Sequence, residues 1–177
     1  MPGLKRIVDR AKLAAKTYQE NTKYTPTRGH PGMVVDAVHG PITSERTESG
    51  MVVQGRGIPD VVIRFEDDRD VATISGSTVE LVVPDGLRRK AKTAHAIAGG
   101  IGYELRPTET RSSQLWRDGR LLAELTRPKK GDQLIVWVTA EPVHPAEVAL
   151  AHALAALAGI GAPGVLGEIG DDPLWSV

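Results

Sequence analysis

The sequence predicts an α+β protein, mainly antiparallel β, in which a barrel-like sheet encloses an apolar C-terminal helix and an amphipathic helix precedes the sheet. Three observations carry that expectation. Residues 145–158, PAEVALAHALAALA, are apolar on every face, with only Glu147 and His152 interrupting them. A helix with no polar side must be surrounded by protein or lipid, and this run of 14 residues falls short of the roughly 20 that cross a bilayer. The chain before it breaks into short β-branched runs bounded by turn residues, at a spacing that favours antiparallel hairpins. At the start, Leu4, Ile7, Val8, Ala11, Ala14, Ala15 and Tyr18 recur at the helical period, with cations on much of the other face.

The totals set bounds on function. A chain of 177 residues, 41% hydrophobic and 25% charged, suits one soluble domain with a real core. Aromatics are scarce at 4%, so Val, Ile, Leu and Ala must build that core. The absence of cysteine excludes disulfides, thiolate metal sites and cysteine nucleophiles, and fits a reducing compartment. No secretory signal is expected, because the basic start has no uninterrupted apolar run behind it. A cytoplasmic location, peripheral to a membrane at most, follows as an expectation.

Net charge is zero but unevenly spread: residues 1–28 carry seven cations and two acids, +5 against an acidic remainder. That basic helix should end near Asn21, with Pro26, Gly29 and Pro31-Gly32 as breakers. Lys5, Arg6, Arg10, Lys12 and Lys16 suit it to an anionic lipid surface. A terminal helix docked on its own body explains the same pattern.

From 33 to 83 the strand candidates are 33–35 with 37–38, then 51–53, 61–65, 71–74 and 79–83. Residues 55–60, GRGIPD, read as too rich in glycine and proline for regular structure. Residues 87–98, LRRKAKTAHAIA, read as a short helix whose start gathers Arg88, Arg89, Lys90 and Lys92, before Gly99, Gly100 and Gly102 break it. Those cations could meet phosphate or simply be solvated; cations at a helix N-terminus oppose its dipole. A second β block follows: 103–105, then 114–116 and 121–125 around the hairpin signal Asp118-Gly119, then the strongest strand, 134–138. Pro145 stands well at the first turn of the apolar helix. The expected organisation is a basic helix and linker over 1–28, a β-rich domain over 29–158 with a seam at 84–102, and a Gly-rich tail over 159–177.

No motif carries catalysis. Residues 159–164, GIGAPG, match G-x-G-x-x-G, but a helix precedes them and a proline interrupts them, so they read as a helix stop. Glu66, Asp67, Asp68 and Asp70 lack calcium-loop spacing and read as a solvated turn. The five histidines form no zinc-binding pattern and no serine sits in a nucleophile elbow. His152 reads as a neutral, hydrogen-bonded core residue; Glu147, five positions away, does not share its face. No catalytic residue, metal site or cofactor is therefore expected, and without aromatics among the cations nucleic acid is not an expected partner.

The hairpin SQLWRDGRLLAELTR, the strand QLIVWV and the apolar helix together resemble the C-terminal half of the tubby-like barrel family, which includes LURP-one-related proteins and phospholipid scramblases. The resemblance spans 113–158 and implies an antiparallel barrel closed around a hydrophobic C-terminal helix. No lipid-contacting residue of that family is carried over. The expected function is a non-enzymatic binding or scaffold module at an anionic membrane surface. A protein–protein or homo-oligomerisation module using the N-terminal helix is the alternative, and an enzyme with a site near His144 or His152 the third.

Overall fold

The computed structural model describes residues 13, 33–36, 38–67, 69–83, 93–127, 134–140 and 142–161. Eleven strands and one complete helix lie within them: β1 (Met33–Asp36), β2 (Gly40–Arg46), β3 (Gly50–Gly55), β4 (Ile58–Phe65), β5 (Asp70–Ile74) and β6 (Ser77–Val82), then β7 (Ala94–Ala98), β8 (Ile101–Glu109), β9 (Ser112–Arg117), β10 (Arg120–Thr126), β11 (Leu134–Thr139) and the helix α1 (Pro145–Ala158). Each strand pairs with its sequence neighbour in antiparallel fashion, and β1 closes the barrel by pairing in parallel with β11. Among the described residues that seam is short, with Val35↔Leu134 and Asp36↔Ile135 facing each other across it.

Alternation along each strand sends one side chain in two to the lumen. Ile42, Val53, Val61, Ile63, Leu81, Leu105 and Leu115 point there and are almost completely buried. An eight-stranded barrel is just wide enough for its own side chains to fill, so eleven strands leave a wider lumen. Here α1 occupies it, with residues 147–156 all buried and packed against β3, β4, β5, β7 and β8. Alanines make the fit: Ala149, Ala151 and Ala153 on the helix meet a wall that includes Ala72, Ala94 and Ala96.

Three hairpins turn through residue pairs with positive φ, Ser75-Gly76, Gly99-Gly100 and Asp118-Gly119, the backbone that matches strand twist in a two-residue loop. Glu66 and Asp67 follow β4 as the turn residues expected, whereas Asp70, expected in the same turn, is the first residue of β5 and partly buried; Asp68 lies outside the described residues. Two expectations are corrected. Residues 94–98 form a strand and not the end of a helix: Ala94 and Ala96 face the core while His95 and Ile97 face out, a period of two that the alanine content had disguised. Residues 55–60 are regular: β3 and β4 join across Arg56 and Gly57, and Pro59 sits where the register shifts between Val53 and Gly55, so its missing N–H costs no ladder bond. β2, which holds Pro41 and few β-branched residues, and β7 raise the strands before Gly99 from about five to seven. Direct β6–β7 pairing, Val79↔Ala98 to Val82↔His95, makes the sheet continuous from the first block to the second.

Helix α1 begins at a capping box. His144 is its N-cap: its Nδ1 accepts from the Ala146 N–H at 3.2 Å, and Glu147 accepts from the His144 N–H at 2.9 Å. Gly159 ends the helix at φ 81°, the stop expected of 159–164. After the helix the chain packs against the β8–β9 turn at Gly161, whose φ is 78° and where a Cβ would stand 2.2 Å from the Thr110 carbonyl oxygen. No described helix is long and apolar enough to cross a membrane.

Candidate functional site

Among the described residues, each of the two polar interruptions of α1 forms a polar centre inside the barrel. The first is the pair His152–Asp36. His152 projects from α1 to the β1–β11 seam, where its Nε2 lies 2.7 Å from Asp36 Oδ2. The Trp137 indole N–H donates to the same oxygen, and the backbone N–H groups of Val38 and His39 donate to Oδ1 at 2.8 and 2.9 Å. Asp36 is 0% exposed and His152 3%, so four donors replace the water that both groups have lost. Burial pushes the Asp36 carboxyl up, but the His152 hydrogen bond and charge and the two backbone donors outweigh it and hold it below the usual carboxylate range. An ionised Asp36 can only accept, so His152 Nε2 carries the proton between them.

The His–Asp pair looks like half of a catalytic triad, and Ser44 lines the same small void beside His152. That void measures about 10 Å³, roughly one water's room. No substrate carbonyl fits there. The pair instead ties β1, β11 and α1 together, residues 101 and 116 positions apart in the chain. The hydrogen-bonded core histidine expected at 152 is present.

The second centre is Glu147, the first residue of the helix's buried stretch. Its Oε1 accepts from the Tyr103 hydroxyl at 3.2 Å and from Arg117 at 2.8 Å. Tyr103 on β8 and Arg117 on β9 are directly paired residues, so one cross-strand pair presents both donors to the helix. Burial, together with the Glu147 charge and hydrogen bond, pushes the Tyr103 hydroxyl above its ordinary pKa. Beside this centre the barrel opens into a cavity of about 520 Å³, between the β5–β6 and β7–β8 turns and the first turn of α1. Its polar groups are Ser75, Ser77, Thr78, Tyr103 and Glu147. Ile74, Val79, Ala98 and Leu150 make it otherwise apolar.

Glu147 and His152 thus serve different walls of the barrel, as their five-residue spacing implies. Lys5, Arg6, Arg10, Lys12, Lys16, Arg88, Arg89, Lys90 and Lys92, the cations singled out for lipid or anion binding, lie outside the described residues. Within the expected N-terminal helix only Leu13 is described; it is helical and 65% exposed. Sequence reasoning missed Asp36, Tyr103 and Arg117, because nothing local marks them: their partners stand 30 to 116 positions away. Pro145 at the first turn was legible, whereas the capping box of His144 and Glu147 emerges from the structure. Among the described residues no three His, Asp or Glu side chains converge as a metal ion requires. Searches with this chain against protein-family models, curated proteins and solved structures found no match.

Proposed function

We propose that the protein is a non-enzymatic binding or scaffold module, held at an anionic membrane surface by Lys5, Arg6, Arg10, Lys12 and Lys16, with Arg88, Arg89, Lys90 and Lys92 as a second cationic contact. One observation carries the reading: the lumen is filled by α1, and the buried His152–Asp36 pair has room beside it for about one water. A barrel spent on enclosing its own helix offers its rims and outer face for function. β6 ends and β7 begins at the rim toward which α1 runs, and β1 starts on that side. The two cationic segments are therefore tethered to the same end of the barrel, which favours joint contact with one charged surface. A sheet closed around an apolar C-terminal helix is the arrangement that the tubby-like resemblance implies.

The test is co-sedimentation with vesicles at low salt. Vesicles containing phosphatidylserine should retain the protein, neutral phosphatidylcholine vesicles should not, and deleting residues 1–24 should abolish retention. Near a charged bilayer each cation contributes about 1 kcal/mol, screened by salt. Equal retention on neutral vesicles, or none lost on deletion, would sink the reading. A protein–protein or oligomerisation module is the second reading, favoured by Val82 and Ile97, 57% and 54% exposed on neighbouring strands. Salt-independent oligomers that vanish when Ile7 and Val8 become polar would select it.

A further inference from the structure

The cavity at the opposite rim, above the first turn of α1, has no part in that reading. Its 520 Å³ falls within the range that accommodates small organic ligands. What could occupy it follows from three features of its wall. The first is charge. Arg117 lies 2.8 Å from Glu147, so the one carboxylate lining the cavity is already answered. A cationic ligand would compete with a bound guanidinium, and an anionic one would face a carboxylate.

The second feature is the helix terminus. Free N–H groups at a helix start usually attract anions, but here they are spent. Ala146 donates to His144 Nδ1, Glu147 and Val148 donate to the His144 carbonyl, and Pro145 has no N–H. The third is the polarity of Tyr103. Its hydroxyl gives its proton to Glu147, so the lone pairs left on its oxygen can only accept. The remaining lining is aliphatic, with three small hydroxyls, Ser75, Ser77 and Thr78, at the turn.

We propose that this cavity binds an uncharged, apolar molecule bearing a hydrogen-bond donor, of the medium-chain alcohol class. Its hydroxyl donates to Tyr103 Oη and its chain lies on Ile74, Val79 and Leu150. Selectivity comes from charge: the site rejects the carboxylate and the ammonium of equal chain length because Glu147 and Arg117 have already neutralised each other.

The experiment titrates the full chain with 1-octanol, octanoate and octylamine, read by methyl NMR shifts of Ile74, Ala98, Ala146 and Leu150 and by calorimetry. Octanol should give saturable shifts at these methyls, with octanoate and octylamine at least tenfold weaker. Tyr103→Phe should weaken octanol by about three- to tenfold, the worth of one hydrogen bond. Ala98→Phe, which fills the cavity from its wall, should abolish the shifts. Octanoate or octylamine binding as tightly as octanol, or no saturable shift with octanol, overturns the proposal from the unaltered protein alone, whether or not either variant folds. Vesicle retention is read separately, so failure here leaves the anionic-surface reading standing, and the reverse.

Discussion

Asp36 and Glu147 are both buried carboxylates that touch α1, yet their surroundings differ in a way that separates architecture from recognition. Asp36 receives four donors and is closed off from solvent, and the only opening at its partner His152 is a void of about 10 Å³ among the described residues. Glu147 receives three, from Tyr103, Arg117 and the His144 backbone, and lines a cavity some fifty times larger. A carboxylate has about four lone-pair positions. Asp36 has none to offer a visitor; Glu147 and its partner Tyr103 do. Solvent access follows the same division, since Arg117 keeps a third of its side chain exposed while His152 keeps almost none.

The comparison can be broken most severely at Asp36. Asp36→Asn keeps the size but leaves one acceptor oxygen for donors that approach both positions, so at least two are orphaned or opposed by the new NH2. Breaking one side of a buried pair costs about 3–5 kcal/mol, and urea melts should show a loss of that order. A loss under 1 kcal/mol would show that the seam does not depend on the carboxylate. Ala151→Leu tests the packing between the two centres without touching either. Extra methylenes in a filled lumen cost about 1–3 kcal/mol, read as a lowered thermal midpoint.

Glu147→Gln should cost less, about 1–2 kcal/mol, because a neutral amide oxygen still accepts and Arg117 can turn to solvent. Smaller still are the pH effects, which differ in sign between the two centres. The folded-state pKa of Asp36 is depressed, so its contribution is present above about pH 4 and lost as pH falls below that. The folded-state pKa of Tyr103 is raised, so its contribution is present below about pH 10 and lost as pH rises past it. Urea midpoints across pH should therefore fall at both extremes. Asp36→Asn should flatten the acid limb only, and Tyr103→Phe the alkaline limb only.

The enclosed helix was readable because its composition admits few alternatives: residues 145–158 have no face that water would accept. The hairpin at Asp118-Gly119 was readable because two consecutive positive φ values demand such residues. β7 was misread because Ala94, Ala96 and Ala98 have high helix propensity, and pairing with β6 and β8 overrides it. Pro41 hid β2, and Pro59 hid the start of β4, for the opposite reason: proline argues against a strand until a bulge or a bonding pattern that spares its N–H is seen. The candidate site was half legible. Glu147 and His152 stand out in an apolar run, but the residues that decide their roles come from β1, β8, β9 and β11, and spacing along the chain says nothing of such contacts.

The short parallel seam between β1 and β11 bears on how the molecule is made. β1 is translated about a hundred residues before its closing partner, while the hairpins from β2 to β10 form between near neighbours. The sheet therefore grows as an open ribbon with an unpaired edge at β1, a template for pairing with other chains. Long-range closure of this kind is slow, because the loop entropy is lost before the contacts repay it. Closure waits for β11 and α1 together, and His152, carried in by the helix, completes the bonds around Asp36. A truncation before residue 145 removes the element that fills the lumen along with the residue that latches the seam. Its expected product is a sheet that aggregates through two open edges, a fate that no loss of surface charge would produce.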